Sequence, residues 1–143
     1  MKEFNSIPYM IDYLTAVLPA THPLAKADNL PFEQLRGETF LLFPEHSFIN
    51  DLCIRECRNA GFEPHIAYTG NRGATLIDLV RNGAGITLMM HHSARQENDS
   101  SLAFIPVTPG IYSYISLNYA KEKPLSPQAE IFVRYVKAHK RDF

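Results

Sequence analysis

The chain has 143 residues, 45% of them hydrophobic and 20% charged, with a formal net charge of −1. That length suits one domain, or one lobe of a larger one, with enough core to fold without disulfide or metal staples. Near-neutrality argues against non-specific nucleic-acid binding by this chain, and no apolar run approaches a membrane span. The N-terminal stretch lacks a signal-peptide core, so a cytoplasmic protein with reduced thiols is the expectation.

Residues 1–11 carry no clear period. Asp12 to Leu18 reads as a strand closed by Pro19, and Ala20 to Asn29 as an extended crossing loop. Pro31 to Arg36 is a short helix, with proline near its first turn and Gly37 just past its end. Thr39 to Phe43 is an almost unbroken apolar run, as expected of a strand covered on both faces. After Pro44, the residues Glu45 and His46 lead to Ser47, which is placed to cap a helix. That helix carries an apolar stripe of Ile49, Leu52, Cys53, Cys57 and Ala60, and Gly61 ends it. Cys53 and Cys57 share one face as small buried hydrophobes; no further spacing completes a tetrahedral metal set. Pro64 to Tyr68 is a short strand.

Thr69 to Met90 is a polar turn, a helix, a glycine turn and a strand in succession. Asn71 is the expected N-cap, and Leu76, Leu79 and Val80 make the buried stripe. Asn82-Gly83 stops the helix, and Ile86 to Met90 is a buried strand. The free N–H groups near Asn71 to Gly73, beside Arg72, suit an anion or a carboxylate. An ordinary capped helix in a structural unit explains the same stretch, because every helix has such a start. His91 to Ser101 reads as a loop, and Leu102–Val107 and Tyr112–Tyr119 as strands separated by Pro109-Gly110. Ser126-Pro127 opens a last helix with Ala129, Phe132, Val133 and Val136 on its inner face. Strands alternating with helices point to an α/β fold with a mostly parallel, mixed sheet flanked by helices.

The chain contains no nucleophile elbow, P-loop or dinucleotide fingerprint, and Gly83-Ala84-Gly85 lies at the end of a helix rather than at its start. Next to one another on an extended segment, His91 and His92 would point apart and make a poor chelate. Ser47 beside His46 lacks a base held by a carboxylate, so capping is its expected role. No catalytic residue, metal or cofactor is expected. More informative are the two strand-to-helix turns, Pro44–Ser47 and Thr69–Gly73, at the carboxyl ends of their strands, where open α/β sheets bind ligands. Glu45, His46, Ser47, Asn71 and Arg72 offer donors and charge there, while Phe48 and Tyr68 offer apolar wall.

Five segments carry a family resemblance. Leu18–Ala25 (LPATHPLA), Leu35–Pro44 (LRGETFLLFP), Cys57–Pro64 (CRNAGFEP), Leu76–Leu88 (LIDLVRNGAGITL) and Leu125–Phe132 (LSPQAEIF) each resemble a segment of LysR-type transcriptional regulators. They come in family order over about residues 12–136. The resemblance implies a periplasmic-binding-protein-like (type II) effector domain of two lobes joined by crossing strands. Such a domain binds a small inducer in its cleft and signals to an N-terminal DNA-binding domain. On that reading residues 20–107 are the complete second lobe, while 1–19 and 108–143 are crossing strands and part of the first. The DNA-binding helices, the linker helix and the first half of lobe one are missing, so DNA would be reached only through a domain outside this chain. The family usually has proline where Met90 or His91 stands.

The expected effector is a small organic anion held by Glu45, His46, Ser47, Phe48, Thr69, Gly70, Asn71 and Arg72. Apolar faces on the Asp12–Leu18 strand and the last helix would lack their usual cover, which implies that they are exposed, swapped with another copy or disordered, and a homo-oligomer is expected. A stand-alone solute-binding module is the alternative.

Overall fold

The computed structural model describes residues 3–95 and 98–141. The chain divides into two compact units, Tyr13–Ile111 and Met1–Asp12 with Tyr112–Phe143. In chain order the strands and helices are β1 (Phe4–Pro19), β2 (Leu30–Pro31), a 3-10 turn (Phe32–Leu35), β3 (Thr39–Leu42), α1 (Phe48–Asn59) and β4 (His65–Thr69). They continue with α2 (Gly73–Arg81), β5 (Thr87–Met90), α3 (His91–Ala94), β6 (Leu102–Thr108), β7 (Tyr112–Ala120) and α4 (Pro127–Ala138). Among the described residues no helix is long and apolar enough to cross a membrane.

In the larger unit β3 and β4 run parallel, as do β2 and β6, whereas β1 lies antiparallel to both β5 and β6. A parallel bridge between Phe40 and Ile86 joins β3 to the residue before β5, with Leu41 N donating to Ile86 O and Ile86 N to Thr39 O, both at 2.8 Å. The sheet is therefore mixed, and it is covered on both faces because successive side chains of a strand point opposite ways. Leu14, Ala16 and Leu18 of β1, with Phe40, Leu42 and Leu88, meet Leu52, Cys53 and Cys57 of α1. Val17, Leu41 and Met89 meet Leu76, Ile77 and Val80 of α2. This two-sided burial is what the continuous apolar run at Thr39–Phe43 requires. It also corrects the expectation for Asp12–Leu18: that strand does not lack cover, because α1 and α2 bury Leu14, Ala16, Val17 and Leu18 to 1% exposure or less.

Close packing also explains a glycine. A Cβ on Gly85 would lie 2.4 Å from the carbonyl oxygen of Thr39, so no side chain fits where the backbone passes beneath β3. At the two helix ends where glycine was expected, Gly61 and Gly83 take left-handed φ values of 88° and 79°.

Several elements differ from their sequence expectation. The first strand begins at Phe4, eight residues earlier than expected, because its N-terminal part pairs with β7, far off in sequence. Of the stretch expected to lack a period, Met1 and Lys2 lie outside the described residues. A short helix, α3, opens the expected loop after Met90, and Gln96 and Glu97 of that loop lie outside the described residues. Asn71 does not cap α2: Arg72, extended at φ −116° and ψ 116°, holds that position and makes no side-chain cap bond. The first turn closes on its carbonyl, with Thr75 N and Leu76 N donating to Arg72 O, which leaves Asn71 one residue outside.

The smaller unit combines the start of β1, β7 and α4 around Ile7, Val133 and Val136, with Tyr9, Leu117, Tyr119 and Leu125 packed against them. Ser126 caps α4 by accepting from Ala129 N at 3.2 Å. Phe132 was expected inside and instead is 55% exposed, beside Ile131 at 60% and Tyr135 at 57%. On a helical wheel these three form a stripe that runs on from Val136, one turn after Phe132, so the apolar surface of α4 is wider than the part this unit covers. Tyr9, Ile115, Leu117, Phe132, Tyr135 and Val136 line an open apolar groove of about 320 Å³.

Candidate functional site

Two turns stand at the carboxyl end of the parallel β3–β4 pair. Because those strands are parallel and adjacent, the chain leaves both at the same edge, and Gly70 N donates to Leu42 O at 3.0 Å just beyond the last paired residues. The larger helices of this unit start from these turns, so their N-terminal N–H groups lie on that side.

The first turn is built in detail by hydrogen bonds. Ser47 N donates to Pro44 O at 3.1 Å, closing a four-residue turn, and His46 sits inside it at a left-handed φ of 66°. Ser47 caps α1 as expected, its hydroxyl accepting from Asn50 N at 3.3 Å and its carbonyl from Asp51 N at 3.0 Å. Glu45 and His46 are exposed, Ser47 half-buried, and Phe48 is 71% exposed at the first helical position. In the second turn Thr69, Asn71 and Arg72 are exposed and Gly70 half-buried. Tyr68 folds back over Gly70: a Cβ there would meet the tyrosine Cε1 and hydroxyl oxygen at 2.7 Å. The eight expected ligand residues thus fall on two neighbouring turns, with Phe48 and Tyr68 as their aromatic surface.

What the arrangement can do chemically is bind. Exposed N–H groups, a hydroxyl, an imidazole and a guanidinium can meet an anion, and α2 starts without a side-chain cap to occupy its first N–H groups. Among the described residues no cluster of three or more His, Cys, Asp or Glu is arranged to hold a metal. His91 sits at the start of α3, stacked on Tyr13 with ring centroids 4.3 Å apart and its Nδ1 3.4 Å from Thr15 Oγ1. Cys53 and Cys57 are free and buried. Burial pushes both thiols up, Cys53 with Cys57 and Glu56 adding to the effect and Cys57, to about 12, with Glu63 and Glu56 adding to it, so neither is a ready nucleophile.

One residue at the site escaped the sequence reading. Asn50 is 1% exposed, and its Nδ2 donates to Phe43 O at 2.8 Å. The available signal was a polar residue three before Cys53 and seven before Cys57, within the stripe that α1 turns to the core.

The chain matches the family model of the LysR substrate binding domain over residues 1–141. It is 30% identical over 122 residues to the transcriptional dual regulator GltC of Bacillus subtilis, a match covering 85% of this chain and 41% of that protein. Among solved structures, the regulatory domain of CcmR from Synechocystis PCC6803, in complex with 2-PG, has a TM-score of 0.86 at 19% identity, covering 99% of this chain and 69% of that one. The effector binding domain of QuiR in complex with shikimate has a TM-score of 0.78 at 20% identity, covering 96% and 65%. These two share the fold, and this chain spans less than half the length of GltC. The chain belongs to the LysR substrate binding domain family.

Proposed function

We propose that this chain is the effector-sensing part of a cytoplasmic LysR-type transcription regulator, with no enzymatic activity, and that it binds a small organic anion at the two turns. The observation that carries the reading is the shared edge: parallel β3 and β4 deliver Pro44–Phe48 and Thr69–Arg72 side by side, each leading into a helix N-terminus. Arg72 supplies the charge, Ser47 and the N–H groups around Asn71 the directional bonds, Glu45, His46, Thr69 and Gly70 the polar rim, and Phe48 the apolar wall. A domain of the same fold holds shikimate, which makes small organic acids the first class to try. Residues 20–107 serve as the second lobe of a two-lobed effector domain, and 1–19 with 108–143 as its crossing strands and part of the first. DNA is reached through a separate domain, and copies of the chain associate through the exposed apolar stripe of α4, Ile131, Phe132 and Tyr135.

A thermal-shift screen of small organic acids on the 143-residue chain tests the reading. The best acid should raise Tm, and Arg72→Ala or Ser47→Ala should abolish most of that rise. An undiminished rise in both variants places the binding elsewhere.

A further inference from the structure

We infer that Asn50 is the positioning residue of the effector site, setting the turn that presents Glu45, His46 and Ser47; the inference rests on the reading of that turn as part of the site. Asn50 holds the turn from both ends. Its Nδ2 donates to Phe43 O, before the turn, at 2.8 Å, and its backbone N donates to Ser47 Oγ, after it, at 3.3 Å. Between these anchors His46 adopts a φ of 66°, a region that costs a non-glycine residue on the order of 1 kcal/mol. Such a turn relaxes toward ordinary backbone angles unless its neighbours hold it. The choice of residue supports the same conclusion. Asn50 is 1% exposed beside Leu52 and Cys53, in a place where leucine would bury more apolar surface and leave no amide to desolvate. Its amide has a reason to be there in the Phe43 carbonyl it satisfies. Ser47 alone caps α1; Asn50 adds the tie to the strand end, and so couples the helix start to the last residue before the turn.

The test uses the whole 143-residue chain, labelled with nitrogen-15. Without any ligand, Asn50→Ala should move the amide resonances of Glu45, His46 and Ser47 and speed their exchange by about tenfold, the equivalent of one hydrogen bond to a held carbonyl. Leu52→Ala, on the same helix, should lower Tm and leave those resonances in place, which separates positioning from general loosening. If Asn50→Ala does not fold, Asn50→Asp keeps the shape, loses the donor and carries the same comparison. Unmoved turn amides in a folded variant overturn the inference. Titration with shikimate and with inorganic phosphate follows. Wild type should shift at the turn, Asn50→Ala should bind about tenfold more weakly, and Leu52→Ala should bind as wild type. Equal affinity in Asn50→Ala and wild type also overturns the inference. A wild-type turn that ignores both probes speaks instead against the turn as an effector site, and the ligand-free comparison then decides the role of Asn50 by itself.

Discussion

At Gly85 the tolerance of the core is close to zero, since an added Cβ would sit 2.4 Å from Thr39 O. Gly85→Ala must part β5 from β3 and should cost about 1–3 kcal/mol in urea unfolding; a neutral result would mean that the two segments can separate. Thr87 presents the opposite case. Its Oγ1 is buried with no hydrogen-bond partner among the described residues, so Thr87→Val removes an unmet polar group at nearly constant shape. Stability should hold or rise by about 1 kcal/mol, and a clear loss would reveal a partner for the hydroxyl. The thiols make a third point. Cys57 is raised from 9.0 to about 12 by burial first and by Glu63 and Glu56 second. A raised pKa means that its contribution to stability is fully present below about pH 9 and is lost as pH rises through about 12. Unfolding curves between those values should show the decline, and iodoacetamide at pH 8 should label neither cysteine until urea is added.

At the scale of elements, the two helices at the site start differently, and the difference has a measurable consequence. Ser47 caps α1, so Ser47→Ala should destabilise the chain by about 1 kcal/mol. Arg72 stands at the N-cap of α2 with no cap bond. Arg72→Ser should therefore stabilise the chain by about 0.5–1 kcal/mol while weakening anion binding, a separation of fold from function that calorimetry and titration can read together. Equal or better binding in Arg72→Ser would remove the guanidinium from the site.

The same elements show what could be read from the residues. Ser47, Gly61 and Ser126 were legible because a cap or an αL residue obeys local rules that the tertiary fold leaves alone. Asn71 misled because it is as good a cap as its neighbours allow, and only the backbone path out of β4 decides which residue is extended at the helix start. The first eight residues of β1 were hidden because Pro8 interrupts their pattern and their partner is β7, a pairing that no local window contains. Asn50 was hidden for a related reason: its partner is a main-chain carbonyl seven residues back, across the turn. The place of both turns at one end of the β3–β4 pair was legible through the strand-to-helix rule, which is a statement about topology that sequence order does carry.

For the whole molecule, Ile131, Phe132 and Tyr135 leave an apolar stripe of α4 bare to water, a surface that association of copies would cover. Light scattering should find a dimer or larger species at high concentration, and Ile131→Ser with Phe132→Ser should shift it to monomer without lowering Tm. A wild-type chain that stays monomeric at millimolar concentration would contradict association through this face. Binding of a small organic acid at the two turns has a more direct test in amide chemical-shift mapping of the 143-residue chain. The acid that stabilises it most in the thermal screen is titrated in, and the shifts should concentrate at residues 44–48 and 69–73. Shifts concentrated on Tyr9, Leu117 and Phe132 of the apolar groove, with both turns silent, would contradict it.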